Sequence, residues 1–320
     1  MSKALELYFN PKLHRYSDIY GNVYTSVTTL ISKYEKLFDT TKVAANCERI
    51  GRNPNHPKYL KYKGKTKEQL IVEWELGKNV ACEKGNVQHN YFEEAIKESN
   101  GYTNRNVKYK NGRIYTVEDV INDPDYGILD LAYFESKGVK KYFPSIYSSL
   151  SYVTEKGYKV YSEVGVYDFK HLISGLIDVF IYHPDKGYFL IFDWKTNNAP
   201  ITFNPGYFEK DARGEMTSEF IHKDTTFNYP IDYLPQSKGN IYGLQLQFYA
   251  YLASKFGITH KGSILFHITH TTNSDGLQVV EQHKLPDFKR EVELLIEHHS
   301  ITKQNVKVQG KLFNNLKLVK

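Results

Sequence analysis

The sequence predicts an α/β (α+β) fold, with a mixed central β-sheet flanked by helices and a helical N-terminal portion. Three strand patterns follow one another between residues 158 and 196, and the chain before them is mainly helical in pattern. A helical pattern, a fourth strand pattern and a closing helical pattern come after them. This order of elements is typical of a mixed sheet with helices packed against it.

Length and composition indicate one large domain or two modest ones. The chain has 320 residues, and 41% of them are hydrophobic, which is enough to fill a core. No apolar run approaches membrane-spanning length, and the first residues lack the apolar segment of a secretory signal. We therefore expect a cytoplasmic protein without membrane contact, in the host cytoplasm if the lysine-, asparagine- and tyrosine-rich composition reflects a phage genome.

The chain contains two cysteines, Cys47 and Cys82, which lie far apart in the sequence. Such sparse cysteine usage favours a reducing compartment and argues against a zinc site of four cysteines. An iron–sulfur cluster held by four thiolates is excluded, because two cysteines cannot supply its ligands.

Basic residues alternate with tyrosines in several segments, although the formal net charge is only +6. These segments are 58–67 and 106–113, and lysines recur without tyrosines through 303–320. Lysines that follow phosphates and rings that stack on bases suit single-stranded nucleic acid, and an ordinary solvated surface is the alternative. The candidate DNA contacts in the first segment are Lys58, Lys61, Tyr62 and Lys63.

The N-terminal region, residues 1–157, is predicted to begin with a β-hairpin over 7–24 that turns at 20–22. Ser26 is the expected N-cap of the next helix. Helical patterns continue to about residue 100, with a break near Gly85. They resume over 128–155, after a polar stretch expected to be a loop or hairpin.

The central region, residues 158–302, carries the strand patterns, and residues 303–320 would form a basic tail. All three parts are expected to form one integrated domain. The predicted elements of the central region are strands over 158–168, 172–183, 188–196 and 262–270 and helices over 241–257 and 290–300. The polar segment 199–238 has no clear pattern, so it is either a connector or an insertion beside the substrate.

The tripeptide Asp-x-Lys occurs three times, at residues 168–170, 193–195 and 287–289. Asp287 precedes a helical pattern, so helix capping explains it. Asp168 ends a strand at a turn. The remaining aspartate, Asp193, is embedded in a strand with apolar residues on both faces, which predicts burial on both sides.

The strand register brings a second carboxylate next to Asp193. The turn signal at 184–187 makes His183 the partner of Tyr188, so Asp178 should lie directly opposite Asp193. Cross-strand partners have Cβ atoms about 5 Å apart on one face. Because side chains of a strand repeat every second residue, Lys195 shares that face.

Two buried carboxylates this close are unfavourable unless one is protonated or a cation binds between them. Oxygen ligands favour Mg²⁺ or Mn²⁺. The alternative is a buried Asp193–Lys195 ion pair, with Asp178 protonated or facing solvent. Glu163 is either a third member of the cluster or a surface glutamate, on the face opposite Val160, Val164 and Val166.

The set Asp178, Asp193 and Lys195 resembles the PD-(D/E)XK nuclease superfamily. The chain resembles its RecB-type exonuclease branch, especially phage exonucleases and the mitochondrial genome maintenance exonuclease. The resemblance rests on "HRYSDIYGNVYTSVTTLI" (14–31), "WELGKNVACEKGNVQHNYFEEAI" (74–96), "SEVGVYDFKHLISGLIDVFIYHPDKGYFLIFDWKTN" (162–197) and "IYGLQLQFYAYL" (241–252). It implies a restriction-endonuclease-like core.

The resemblance also implies roles for individual residues. Asp178 and Asp193 would bind two Mg²⁺ or Mn²⁺ ions, and Lys195 would serve the attacking water. Glu163, if it joins the cluster, would be a further catalytic carboxylate. His89 and the backbone carbonyl of Trp194 would be further metal ligands. A lone histidine on a helix is more often structural, but His89 does share a helix face with Glu93.

The fourth segment supplies Gln245 and Tyr249, which by resemblance position active-site groups or the DNA backbone. Gln247 and Tyr251 have the same spacing, and an amphipathic helix with chance polar positions is the other alternative. The chain departs from the family at Asn86, where threonine is usual, so the supporting role of that position is open.

With this resemblance, the sequence predicts a metal-dependent DNA exonuclease that acts on single-stranded or end-processed DNA in replication, recombination or repair. The resemblance also implies that its products carry 5′-phosphates. Residues 27–155 would form a wall or an arch that threads single-stranded DNA. A structure-selective or site-specific endonuclease on the same core is one alternative. A non-catalytic nucleic-acid-binding module is the other.

Overall fold

The computed structural model describes residues 6–99, 112–211 and 215–302. The strands are β1 (Leu7–Asn10), β2 (Arg15–Asp18), β3 (Val23–Ser26), β4 (Lys159–Asp168), β5 (Ile173–His183), β6 (Tyr188–Lys195), β7 (Gly206–Lys210), β8 (Met216–His222), β9 (Thr259–Thr272) and β10 (Gln278–Lys284). The helices are α1 (Val27–Ser32), α2 (Thr40–Ile50), α3 (Tyr59–Tyr62), α4 (Lys67–Ser99), α5 (Val117–Asn122), α6 (Leu131–Ser136), α7 (Val139–Tyr142), α8 (Pro144–Glu155), α9 (Lys238–Ser254) and α10, described over 289–302.

An eight-stranded mixed sheet forms the centre of the molecule. Its order is β1-β2-β3-β5-β6-β9-β10, and β4 pairs with β5. The β3–β5 and β6–β9 pairs are parallel and the other pairs are antiparallel. With helices packed on the sheet, this arrangement confirms the predicted α+β class.

The β5–β6 hairpin has the register that the sequence predicts. His183 pairs with Tyr188, and the ladder runs in step to Val179 opposite Phe192. Gly187 closes the turn with a left-handed φ of +61°, a conformation that glycine adopts without a steric penalty. The next pair in this register is Asp178 and Asp193, at the point where the ladder ends.

Close to Asp178, the strand that pairs with one edge of β5 changes from β6 to β3. Along this edge β5 pairs with β6 over residues 179–183 and with β3 only at residues 173–174. Between these two ladders, residues 175–178 of β5 pair with neither β3 nor β6. A gap in the sheet therefore opens beside the end of β6.

Both faces of the sheet are covered by apolar side chains. On one face α1 and α9 bury the outward residues of β5 and β6, including Phe180, Phe189 and Ile191. On the other face Phe192 and Trp194 pack with Phe92 of α4 and with helices α6 to α8. Strand β6 is thus buried on both sides as its sequence predicts, and the N-terminal helices share both cores with the strands.

The helix α4 is continuous over 33 residues, so the predicted break near Gly85 is wrong. A Cβ at Gly85 would lie 2.9 Å from Thr196 Oγ1, just beyond the end of β6. The glycine therefore permits close approach of helix to strand. Gly85 is therefore explained by the space that a missing side chain leaves for Thr196, and not by helix termination.

Other boundaries also differ from the sequence prediction. The N-terminal hairpin turns where predicted but has a third strand, β1. The pattern over 128–155 divides into three helices, α6 to α8, and β10 was not predicted. The polar segment 199–238 contains the separate β7–β8 hairpin. Ser26 caps α1 as predicted, since its side chain accepts a hydrogen bond from Thr29 N.

Two predictions concern residues that the structure does not describe. Most of the basic segment 106–113 and the whole tail 303–320 lie outside the described residues. Within the described ranges, no helix is both long and apolar enough to cross a membrane.

The close approach at Gly85 can be tested against a second glycine of the same helix. A Cβ at Gly77 would meet nothing within 4 Å. Gly77→Ala should therefore stabilise the protein by about 0.5–1 kcal/mol through helix propensity alone. Gly85→Ala should lose that gain or destabilise, because Thr196 must move. Urea unfolding of both variants measures the difference, and an equal gain would contradict the proposed contact.

Candidate active site

The candidate site lies at the end of β6, where the sheet opens. Asp193 is only 1% exposed, and Asp178 faces it from β5. The Asp178 carboxylate also accepts a hydrogen bond of 3.3 Å from the backbone N–H of Trp194. Asp178 is thereby fixed between the end of β6 and the helix α4.

Lys195 is the ammonium group of the site. Its Nζ lies 2.5 Å from Asp193 Oδ2 and 5.1 Å from the centre of the Tyr242 ring. Burial alone would lower the pKa of Lys195, but the charges of Asp193 and Asp178 outweigh it and raise that pKa. Lys195 is therefore held as a cation beside the two aspartates.

One cation does not satisfy the acidic groups. Burial, and then the charge on Asp178, raise the pKa of Asp193 to about 7 despite the adjacent Lys195. The other oxygen of this carboxylate, Oδ1, is buried and has no hydrogen-bond partner among the described residues. An oxygen in this state fits a ligand of Mg²⁺ or Mn²⁺, so the donor set suits the predicted metal.

Glu163 joins the cluster through an irregularity in the β4–β5 ladder. It lies opposite Asp178, between the pairs Ser162–Val179 and Val164–Ile177, and its φ is +55°. A left-handed backbone is uncommon for a residue with a side chain, and such irregularities often re-aim side chains at functional sites. Here it turns the glutamate toward the acids.

The electrostatics of Glu163 show how close it lies to them. Burial raises the pKa of Glu163 to about 8, with further contributions from Asp178, Glu93 and Asp193 that Lys97 partly offsets. The structure thus brings together all three predicted carboxylates. The predicted shared face of Val160, Val164 and Val166 is wrong, because the irregularity places Val160 in the other core.

His89 approaches the acids from α4. Its Nδ1 is 3.5 Å from Asp178 Oδ2, and its Nε2 is 3.1 Å from the Trp194 carbonyl oxygen. Two ligands at neighbouring positions of one octahedral Mg²⁺ ion would be about 3 Å apart. The 3.1 Å contact between His89 Nε2 and the Trp194 carbonyl oxygen also has the length of a normal hydrogen bond. That hydrogen bond would orient the imidazole ring even without a metal ion.

The helix α4 is positioned by packing that only the folded chain provides. Phe92, one turn after His89, stacks on Trp194 with ring centres 4.7 Å apart. This apolar contact fixes the helix against the strand that carries Asp193. His89 and the Trp194 carbonyl, which are 105 residues apart in sequence, meet for this reason.

Tyr249 of α9 lies near Asp193 and Asp178, and Gln245 contacts Tyr249. Gln245 Nε2 donates a 3.0 Å hydrogen bond to the Tyr249 hydroxyl. Tyr249 is 4% exposed, and burial raises its pKa well above the ordinary value, with smaller contributions from Asp193 and Asp178. Its position suits support of Gln245 better than direct contact with DNA. Gln247, the alternative glutamine, lines a separate cavity beside β9.

Sequence analysis missed Tyr242, which precedes Gln245 by one helical turn. Its hydroxyl donates a 2.9 Å hydrogen bond to Asn197 Oδ1, and its ring faces the Lys195 ammonium. Tyr242, Gln245 and Tyr249 follow a helical spacing on one face of α9. That spacing was the signal that could have found it.

The basic segment of α3 contacts the β7–β8 hairpin. Lys58 and Lys61 lie 2.9 Å and 3.5 Å from the two oxygens of Glu209, and Lys61 also donates to the Lys210 carbonyl. Burial and contacts with Cys47 raise the pKa of Tyr62. Lys63 packs over the ring of Tyr59, 5.6 Å from its centre. Part of the predicted DNA-binding charge is thus paired within the protein.

The other two Asp-x-Lys sequences have the structural roles predicted for them. Asp168 accepts hydrogen bonds from the backbone N–H of Lys170 and from the His171 ring, and it forms an ion pair with Lys255. Asp287 Oδ1 accepts a 3.0 Å hydrogen bond from Lys289 N at the start of α10. Neither lies in the acidic cluster.

Comparison with known proteins adds little to this geometry. No family model and no curated protein matches the chain. A solved crystal structure, that of SSO0001, is similar over 67% of this chain and 86% of its own, with 16% sequence identity and a TM-score of 0.22. A likeness of that strength carries no argument about fold or function.

The raised pKa of Glu163 predicts a pH-dependent instability of the metal-free protein. The folded-state pKa of about 8 exceeds the ordinary 4.5, so stability should fall as pH rises through that range. Glu163→Gln should flatten this dependence and add about 1–3 kcal/mol at pH 8. Urea unfolding in a chelator at pH 5, 6.5 and 8 provides the measurement.

The control for this experiment is Glu75→Gln, which changes an exposed glutamate of α4. It should leave the pH profile of the wild type unaltered. Parallel profiles for all three proteins would show that Glu163 is not held among other carboxylates.

Proposed function

We propose that the protein is a metal-dependent deoxyribonuclease of the PD-(D/E)XK type, and specifically an exonuclease. One observation carries the proposal. Asp178 and Asp193 face each other at the open end of β6, with an unpaired buried oxygen on Asp193 and the Lys195 ammonium beside it. A cation is the economical way to satisfy such a cluster.

The residues of the site divide the chemical work of phosphodiester hydrolysis. Asp178 and Asp193 would bind Mg²⁺ or Mn²⁺, with Glu163, His89 and the Trp194 carbonyl as further candidate ligands. When bound, the ion supplies a Lewis acid for the scissile phosphate and lowers the pKa of a water molecule. The contribution of the protein is to hold the ligand oxygens and nitrogens in place. The ends of the strands and the helix α4 fix the side chains that carry these atoms.

Lys195 would orient the attacking water and offset the negative charge that develops on the phosphate. The ring of Tyr242 and the carboxylate of Asp193 hold the ammonium from two sides. A fixed cation costs little reorganisation when charge develops in the transition state.

The choice of an exonuclease over an endonuclease rests on the resemblance of segments 14–31, 74–96, 162–197 and 241–252 to RecB-type exonucleases. DNA as the substrate is supported by the net charge of +6 and by basic and aromatic residues near α3. The helices that precede β4 would form one wall of the DNA path.

Loss of the central carboxylate should abolish activity. Asp193→Asn should reduce Mg²⁺-dependent degradation of end-labelled DNA by at least about 10²-fold, because a metal ligand is removed. Asp287→Asn is the matched control, because it makes the same change in a second Asp-x-Lys tripeptide that lies outside the site. Asparagine also caps helices, so this substitution should preserve the start of α10. Its activity should equal that of the wild type.

Two results of this experiment would contradict the proposal. Equal activity of the wild type and Asp193→Asn would remove the acidic cluster from the mechanism. Absence of activity in the wild type, with DNA binding retained, would favour a non-catalytic binding module. Thermal unfolding of each variant separates loss of function from loss of fold.

An exonuclease should distinguish linear DNA from circles. In Mg²⁺ the protein should degrade linear single strands and leave covalently closed single-stranded circles intact, because circles have no ends. The same circles opened by a single cut serve as the control. Blocking the 5′ or the 3′ end separately then gives the polarity. Cleavage of closed circles at a comparable rate would instead support an endonuclease.

A further inference from the structure

We propose that the β9–β10 edge of the sheet carries a second metal site, which binds a borderline transition-metal ion such as Zn²⁺. The site consists of His267, Glu281 and His283, here called the His–Glu–His cluster. Glu281 pairs directly with His267 across the ladder, and His283 follows two residues later on the same face. One ligand atom of each residue lies within 4.8 Å of the others.

The hydrogen bonding of His267 leaves it with a lone pair directed into the cluster. Its Nε2 lies 2.8 Å from the Asn197 carbonyl oxygen, which can only accept, so Nε2 carries the proton. In neutral imidazole Nδ1 is then an acceptor, yet it lies 3.1 Å from the carboxylate oxygen Glu281 Oε2. Two acceptors at this distance repel unless a proton or a metal ion lies between them.

The ring of His283 also places a nitrogen without a hydrogen-bond partner next to the Glu281 carboxylate. Its Nε2 is 3.3 Å from the same Glu281 oxygen, and this buried nitrogen makes no hydrogen bond with the described residues. Neighbouring ligands of a tetrahedral Zn²⁺ with bonds of about 2.1 Å are about 3.4 Å apart. The two nitrogen–oxygen distances are close to that spacing.

The ligand chemistry distinguishes this site from the acidic cluster. Two imidazoles and one carboxylate suit Zn²⁺ and its neighbours in the transition series, whereas oxygen-rich sites suit Mg²⁺ and Mn²⁺. The Glu281 side chain is 43% exposed while that of His267 is 1% exposed. The site would therefore open to solvent on one side, where water can complete the coordination.

The orientation of His267 has the form that metal-binding histidines usually show. Such a histidine donates its second ring N–H to a carbonyl or carboxylate, which fixes the tautomer. Here the acceptor is Asn197, two residues after Lys195, and Asn197 also accepts from Tyr242. A bound ion would thus tie the edge strand β10 to the segment that leaves β6.

Binding of Co²⁺, a spectroscopic substitute for Zn²⁺, tests this site without reference to nuclease activity. The titration uses the full-length variant His89→Ala/Asp178→Asn, which lacks ligands of the candidate active site. One equivalent of Co²⁺ should bind and give visible absorption. Adding His283→Ala should weaken binding at least about tenfold, because one of three protein ligands is lost.

The control is His222→Ala in the same background, since His222 is an exposed histidine of β8 outside the cluster. It should bind Co²⁺ with unchanged affinity, and Zn²⁺ should raise the Tm of the control but not of His283→Ala. The proposal would be overturned if the His283→Ala and His222→Ala proteins bound Co²⁺ with equal affinity. It would also be overturned if His89→Ala/Asp178→Asn itself bound no stoichiometric Co²⁺. Nuclear magnetic resonance spectra in which His267 stays doubly protonated with excess Zn²⁺ would overturn it as well.

Discussion

The site depends on the electrostatic cost of placing Asp193 inside the sheet beside Asp178. A buried carboxylate next to a second one disfavours its own ionisation, which is why the pKa of Asp193 rises to about 7. Lys195 offsets part of this cost through a direct ion pair. The electrostatic cost that Lys195 does not offset is the reason why this geometry favours a bound cation.

The cleft itself follows from how strands share an edge. Strand β5 is long enough to pair with β6 at one end and with β3 at the other, so the two partners separate between their ladders. Asp178 lies at that separation, and the left-handed residue Glu163 lies opposite it on β4. A regular ladder would have hidden these carboxylates within a continuous sheet. The irregularity instead directs the Glu163 carboxylate toward Asp178 and Asp193.

Charges elsewhere in the molecule refine the predicted DNA path. Glu209 of the β7–β8 hairpin pairs with Lys58 and Lys61, so these lysines connect α3 to the hairpin as well as adding positive charge. These ion pairs are partly buried, with the Glu209 side chain 16% exposed, and ion pairs near the surface typically contribute less than about 1 kcal/mol. A phosphate could therefore compete with Glu209 for them at small cost, which keeps this surface a candidate for the DNA strand.

The sequence by itself determined the strand order of the meander, the register of the β5–β6 hairpin and the burial of β6 on both faces. These features are local, since a turn of known type and a two-residue alternation fix them. They were sufficient to place Asp178 opposite Asp193. The same local rules separated Asp193 from Asp168 and Asp287, whose capping and turn positions the structure confirms.

Only the tertiary structure decided which distant groups join the acids. The stacking of Phe92 on Trp194 brings His89 to the end of β6, and the left-handed backbone of Glu163 turns its side chain inward. Tyr242 and the His–Glu–His cluster likewise depend on contacts between separate elements. Periodicity along one strand or helix carries no information on such contacts, because they are set by how whole elements pack and by where a ladder departs from regularity.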